Sequence, residues 1–138
     1  MVEFALVFLI FFSLIYAFVS LGIFLTLRFG LQNAAEDGAR SALRYQVSLA
    51  KREEEAEKVA TSRSNGWAPV QPVAVAKICQ LEGADCGQAC GPDWTQRCQV
   101  VVTVTLTGMR GILPPLVNLA LPDQVVGRAS MLLDGRAL

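Results

Sequence analysis

Residues 4–27 form the sequence FALVFLIFFSLIYAFVSLGIFLTL, a run of 24 residues without a charged side chain that is bounded by Glu3 and Arg28. As an α-helix this run would be roughly 36 Å long, which exceeds the roughly 30 Å hydrocarbon thickness of a bilayer. It contains 17 Leu, Ile, Phe and Val residues, and inserting each of these is favourable by about 0.3 to 0.6 kcal/mol. The sequence therefore predicts a membrane-spanning helix as the first unit of the chain, residues 1–27.

A cleaved secretory signal is the alternative interpretation of this run. Such signals have a basic start, a short apolar core and a cleavage site with small residues. Here the apolar run is about twice too long for a signal core, and a helical pattern follows it. We therefore predict a retained membrane helix.

After Arg28 the apolar residues narrow to a single stripe at helical spacing, with charged residues between them. The stripe consists of Leu31, Ala35, Ala39, Ala42, Leu43, Gln46, Val47 and Ala50. Opposite charges four residues apart would support this helix from its solvent side, in the pairs Glu36/Arg40, Lys51/Glu55 and Glu54/Lys58. The pattern predicts an amphipathic helix over 28–62 that continues the membrane helix as one rod, with 51–58 as a solvated face.

Residues 63–138 have the pattern of a small β domain. Candidate strands cover 73–78 and 99–107, and a third begins near Val125 with Gly127 and Arg128 as a bulge. The segment 112–122 contains three prolines, which favours either a loop packed across the domain or an exposed apolar contact surface. The predicted fold class is α+β, with a long N-terminal helix packed on a three- or four-stranded antiparallel sheet.

All four cysteines of the chain lie in this β domain: Cys79, Cys86, Cys90 and Cys98. A domain of this size buries a limited core, so disulfides would stabilise it. We favour pairing Cys79 with Cys98 and Cys86 with Cys90, although four cysteines allow three pairings. Zinc is the alternative, but zinc ribbons use two close cysteine pairs and only Cys86/Cys90 is close. Disulfides place the domain outside the cytoplasm.

Composition argues against several classes of function. The chain has no His, which removes imidazole-based triads and most catalytic zinc sites. Its 12 basic and 12 acidic residues balance, so no basic face for nucleic acid is expected. Glu82, Asp85 and Asp93 lack calcium-binding spacing and are interpreted as solvated loop charges. We predict no enzyme activity, no cofactor and no metal site.

Two short motifs at a fixed separation carry a family resemblance. Residues 2–6, VEFAL, open the apolar helix, and residues 31–40, LQNAAEDGAR, follow it directly, with the strand sequence VVVTVT at 100–105 further along. Together they resemble the TadE-like minor pilins of bacterial tight-adherence (Tad/Flp, type IVc) pili. The resemblance is strong over the first 45 residues and weak over the strands.

The resemblance implies a prepilin whose short basic leader, preceding Met1, is removed by a prepilin peptidase. Basic residues follow the membrane helix, and basic residues beside a membrane helix favour the cytoplasmic side. A basic leader before the helix would offset them, so the β domain could still lie outside the cytoplasm. The implied location is the bacterial inner membrane, in a single-pass arrangement with the C-terminal domain in the periplasm, and then the pilus on the cell surface.

The implied function is a minor pilin or pseudopilin, a structural subunit for initiation, priming or the tip of an adhesive pilus. Its partners would be other minor and major pilins and the inner-membrane assembly platform, with Glu3 matching the glutamate of family prepilins. The residues predicted to contact other subunits are Glu3, Phe4, Leu31, Ala35 and Ala39. The alternative is a free-standing single-pass protein whose extracytoplasmic domain binds a ligand or partner; a thiol enzyme is disfavoured because no C-x-x-C pair is present.

Overall fold

The computed structural model describes residues 2–44, 46–81, 86, 90, 97–111 and 122–133. Within these ranges the helices are α1 (Val2–Ser41) and α2 (Leu49–Ser64), and the strands are β1 (Val73–Gln80), β2 (Cys98–Thr107) and β3 (Gln124–Leu133). A short 3-10 helix, Met109–Gly111, follows β2. The predicted α+β class is confirmed, with a long N-terminal helix and a small antiparallel sheet.

The predicted continuous rod is wrong, because α1 ends at Ser41 and a separate helix begins at Leu49. Ser48 has an extended backbone, and its side chain accepts a hydrogen bond from the Lys51 amide, which makes it the N-cap of α2. The Arg52 guanidinium is buried and donates to the Ala42 carbonyl at 3.1 Å, beside the end of α1. The chain therefore turns back, and the predicted stripe stops at Ala42, leaving Leu43 and Val47 exposed.

The two helices form a close antiparallel hairpin. A Cβ added at Gly38 would lie 2.9 Å from both the Ala56 carbonyl oxygen and the Ala60 methyl. Near the end of α2, Arg63 Nε lies 3.2 Å from Asp37 Oδ2. Glycine at position 38 and alanine on α2 thus allow the backbones to approach, and an ion pair joins the helices where they are exposed.

The sheet is an antiparallel meander in the order β1-β2-β3. Alternate residues of β2 are fully buried beneath the helices: Val100, Val102, Val104 and Leu106. The predicted bulge at Gly127 and Arg128 is wrong, since ten residues of β2 pair with ten of β3 without interruption. A Cβ at Gly127 would lie 2.5 Å from the carbonyl carbon and oxygen of Leu31. The glycine is therefore explained by the passage of α1 across the strand.

Helix side chains bond both edges of the sheet. On β1, the Ala76 and Ile78 amides donate to the carboxylates of Glu57 and Glu53 at 3.0 and 2.8 Å. On β3, the Gln32 side-chain amide donates to the Arg128 carbonyl and accepts from the Arg128 amide, at 2.9 and 3.1 Å. These contacts protect edges that would otherwise offer unpaired backbone groups.

The prediction that 51–58 is simply a solvated face is wrong for three of its residues, because Arg52 is buried and Glu53 and Glu57 bond the sheet. Lys51 and Glu54 do remain exposed, with Nζ 2.6 Å from Oε2. The hydrogen bond between them, followed by their charge attraction, lowers the pKa of Glu54 and raises the pKa of Lys51.

The two ends of the sheet can be distinguished by which part of α1 each end lies against. Gly127 lies against Leu31, whereas Val102 lies further along β2 against Gly38. We call the end that holds Val73, Thr107 and Gln124 the near end, because it faces the apolar run, and the end that holds Gln80, Cys98 and Leu133 the far end. The head, meaning α2, the sheet and the second half of α1, is therefore oriented along the helix.

Candidate functional site

The first half of α1 extends away from the head. Large apolar side chains from Phe4 to Leu25 are exposed on every face of the helix. Within the described residues, α1 is the one helix that is long and apolar enough to cross a membrane. In water this surface would be unfavourable, so lipid or other apolar helices must cover it.

The hydroxyl groups in this half do not interrupt its apolar surface. Ser13, Ser20 and Thr26 each donate to a backbone carbonyl one turn earlier, at 2.8 Å. Because these donors are satisfied within the helix, they add little polarity to the exposed surface.

Aromatic rings form a row along one face of the exposed half. The centroids of Phe4 and Phe8 are 6.1 Å apart, and those of Phe8 and Phe12 are 4.3 Å apart. Spacing of four residues places these rings one above another. The row offers a rigid apolar surface to a lipid chain or a neighbouring helix.

The residues predicted to contact other subunits fall into two groups. Glu3 lies in the first turn of α1 and is exposed, and Phe4 is 76% exposed. Leu31, Ala35 and Ala39 are fully buried against the head of the same chain. Their burial leaves Glu3 and Phe4 as the members of the predicted set that offer surface to a neighbour, and this role stays a prediction.

The last residues of the apolar run are already packed against the head. Leu27 belongs to the buried core and Phe24 packs against it. One turn further on, the Trp67 ring lies against the backbone of Gly30, where a Cβ would overlap the ring. The Trp67 indole donates to the Arg63 carbonyl at 2.8 Å. The head therefore begins at the last turn of the apolar run.

The disulfides lie at the far end of the head. Cys79 bonds Cys86 and Cys90 bonds Cys98, so the prediction of disulfides is confirmed but the favoured pairing is wrong. Cys98 is opposite Gln80, and Cys79 is opposite Gln99. Since successive residues of a strand point to opposite faces, Cys79 and Cys98 project to different faces of the sheet.

A polar cleft lies between the two helices. It is lined by Asp37, Arg40, Ser41, Arg44 and Arg63. Asp37 pairs with Arg63 there, and both side chains are partly exposed. Among the described residues, no group of three or more metal-ligating side chains is found. Residues 82–85, 93 and 112–121, which carry the predicted loop charges and most of the proline-rich segment, lie outside the described residues.

Sequence reasoning missed several residues that shape this site. Gln32, Glu53 and Glu57 look like solvated helix residues until the sheet edges are placed. Trp67 beside Gly66 looks like a turn, and its contact with Gly30 depends on the helix reversal. For Gln32, the one available signal was its place next to the buried Leu31.

Comparison with protein families gave a match to the region that forms α1. Residues 1–40 match the family described as TadE-like protein. The first 40 residues of the chain are therefore similar to the TadE-like family. The match confirms the predicted resemblance and ends one residue before the end of α1. Comparisons with curated proteins and with solved structures gave no match.

The TadE-like segment includes both halves of α1, the exposed apolar half and the half buried in the head. It contains Glu3, the row of Phe rings and the buried residues Leu31, Ala35 and Ala39. The segment thus contains a helix surface that must be covered and the contacts that fix that helix to the head.

Proposed function

We propose that this TadE-like protein is a structural, non-enzymatic subunit of the Tad pilus system, a minor pilin anchored in the bacterial inner membrane by α1. The observation that carries the proposal is the division of the family-matched helix into an exposed apolar half and a half buried in the head. This arrangement suits a subunit that leaves lipid and then packs its helix among others. The disulfides at the far end support a periplasmic head.

The exposed half of α1 has two successive environments in this proposal. In the membrane, acyl chains cover the exposed side chains; in the filament, the helices of other minor and major pilins cover them. The inner-membrane assembly platform and the prepilin peptidase are the remaining partners. The head, whose core includes the second half of α1, is carried to the pilus on the cell surface.

Glu3 is the residue of α1 that distinguishes an assembling helix from a simple anchor. Its exposed carboxylate precedes 24 uncharged residues. Moving an unpaired carboxylate into an apolar filament core costs several kcal/mol. A partner of opposite charge would offset that cost, and we assign this partner to the free α-amino group of an adjacent subunit. That pairing would fix the axial position of an incoming subunit.

The test is Glu3→Ala in cells that carry the complete pilus system. We expect the variant to insert and form its disulfides, but to lose co-purification with other pilins and to reduce the number of surface pili. Glu3→Asp keeps the charge on a shorter side chain and should be intermediate. Glu54→Ala removes an exposed carboxylate of the head and serves as the matched control.

A free-standing membrane protein would give a different result. It needs no subunit register, so Glu3→Ala would match wild type both in co-purification and in the pilus count. That outcome would contradict the role proposed for Glu3 and favour the ligand-binding alternative.

A further inference from the structure

The apolar run is longer than a bilayer requires. About 20 helical residues cross a hydrocarbon core of roughly 30 Å, whereas residues 4–27 provide 24. The surplus turn, which contains Phe24 and Leu27, packs against the core of the head. A helix that tilts so that the whole run to Leu27 lies in the hydrocarbon therefore brings the head into the headgroup layer.

The near end of the head carries exposed apolar side chains at this level. Phe29 is 66% exposed and Trp67 is 40% exposed, with Trp67 resting on Gly30. Val73 and Val126 are exposed and occupy one row of the sheet, since both align with Thr105. We call Phe29, Trp67, Val73 and Val126 the near-end collar.

The level of the collar follows from its neighbours on α1. Gly127, next to Val126, lies against Leu31, which is four residues after Leu27. Four helical residues rise about 6 Å, and this distance lies within the headgroup layer that separates the hydrocarbon from water. The collar therefore begins within about one turn of the end of the apolar run.

We propose that the near-end collar binds the bilayer surface and holds the head against the membrane before assembly. The proposal rests on the membrane anchor assigned to α1 under the proposed function. Tryptophan is enriched at membrane interfaces, and the Trp67 ring is partly exposed while its indole N–H is already satisfied by the Arg63 carbonyl. Arg28, between the apolar run and the collar, suits the phosphates of anionic lipids.

Continuity with the membrane segment favours lipid as the occupant over a second copy of the chain. The collar lies at the end of the head that is next to the last turn of the apolar run, so insertion of the helix brings the collar close to lipid. The far end has its own exposed apolar residue, Leu132, but it lies about six residues along β3 from Val126, or roughly 20 Å. This residue supplies a control on the same strand.

Tryptophan fluorescence can test the collar in the full-length protein. The chain contains two Trp residues, so Trp94→Phe leaves Trp67 as the single probe. The protein is reconstituted into phosphatidylcholine and phosphatidylglycerol vesicles that carry spin labels either near the headgroup or near the acyl-chain end. We expect Trp67 to be quenched more strongly by the shallow label than by the deep label. The matched variant Trp67→Phe removes the probe and shows how much of the quenching of the two-Trp chain comes from Trp94.

A second pair of variants tests the collar without changing the probe. Both are made in the Trp94→Phe chain, at side chains exposed on the outer face of β3. Val126→Asp places a carboxylate at the near end and should weaken the shallow quenching of Trp67 by roughly twofold or more. Leu132→Asp places the same charge at the far end and should leave quenching at its starting value. Intact disulfides and an unchanged unfolding temperature show that both variants are folded.

The outcomes separate the collar from the membrane anchor. If alkaline carbonate extracts the chain from the vesicles, the anchor and the collar both fail. If the chain is retained but the shallow label quenches Trp67 no more than the deep label does, or if the two Asp variants behave alike, the collar is overturned and the anchor stands.

Discussion

Gly127 shows how a single missing side chain sets the position of a helix. It belongs to a regular ten-residue pairing between β2 and β3, and its φ is not positive. Its need for glycine is therefore one of space rather than of backbone conformation. The Leu31 carbonyl and the Gln32 amide nitrogen occupy the place where a Cβ would be. That approach brings Gln32 within hydrogen-bond reach of Arg128.

Gly127→Ala is expected to destabilise the head strongly. The added methyl would overlap backbone atoms that cannot rotate away, and overpacking typically costs about 1 to 3 kcal/mol. Urea unfolding in detergent micelles, followed by far-ultraviolet circular dichroism, measures the change. Gly111→Ala is the control, because a Cβ there would meet no atom within 4 Å. Equal stability of the two variants would contradict the close approach of α1 to β3.

The sequence signal at Gly127 was real but ambiguous. A glycine within a strand marks either a bulge or the close approach of another backbone. Local sequence cannot separate these causes, because the approaching residue, Leu31, is distant in the chain. The interpretation as a bulge was wrong for that reason.

At the level of elements, α2 protects the edge of β1 because alternate strand residues and helix residues four apart have nearly the same axial spacing. Residues four apart on a helix are about 6.0 Å apart along its axis, and residues two apart on a strand are about 6.6 Å apart. Glu53 and Glu57 can therefore bond the amides of Ile78 and Ala76 at the same time. Two carboxylates thus occupy edge donors that would otherwise be open to another strand.

Replacing these carboxylates should weaken the docking of α2 on the sheet. Glu53→Ala or Glu57→Ala removes a charged acceptor from a partly buried amide, which is worth about 1.5 to 3 kcal/mol. The corresponding Gln variants keep an acceptor oxygen and should recover part of that loss. The free energy of unfolding, from urea titration, gives both values. Glu54→Ala is the control because Glu54 bonds only the exposed Lys51 in the described contacts. A loss at position 54 equal to that at position 57 would exclude edge protection.

Local periodicity predicted most of the elements. Alternation located β2, the candidate strands at 73–78 and from Val125 coincide with β1 and β3, and the long apolar run located the first half of α1. The helix reversal was missed because residues 42–48 contain neither Gly nor Pro, and the N-cap Ser48 was the only strong local signal. The disulfide pairing was missed because it depends on the register of β1 and β2, which spacing between cysteines does not reveal.

At the scale of the whole molecule, α1 belongs both to the exposed apolar segment and to the core of the head. The first half of α1 is exposed to whatever surrounds the protein, and the second half contributes Leu31, Ala34, Ala35 and Ala39 to the buried core. The head is therefore fixed to its anchor by its own core rather than by a linker. A force or displacement applied to the exposed half would be transmitted directly to the head, which is what the proposed minor-pilin role would need.

This shared helix predicts where the chain can be shortened. A chain of residues 24–138 keeps Phe24, Leu27 and the buried half of α1, so we expect it to fold without detergent and to unfold in one cooperative transition. A chain of residues 36–138 lacks Leu31, which together with Leu106 is the largest fully buried apolar side chain among the described residues. Loss of a buried Leu side chain alone costs about 2 to 5 kcal/mol, a large share of the 5 to 15 kcal/mol that stabilises a typical domain.

We therefore expect the 36–138 chain to lose its cooperative transition, although it retains every strand and both disulfides. Thermal unfolding followed by near-ultraviolet circular dichroism distinguishes the two chains. Leu31→Ala in the 24–138 chain keeps the helix but removes the side chain, and should lower the unfolding temperature without abolishing the transition. A cooperative 36–138 chain would show that the sheet and α2 fold without α1, and that the exposed helix is joined to an independent domain.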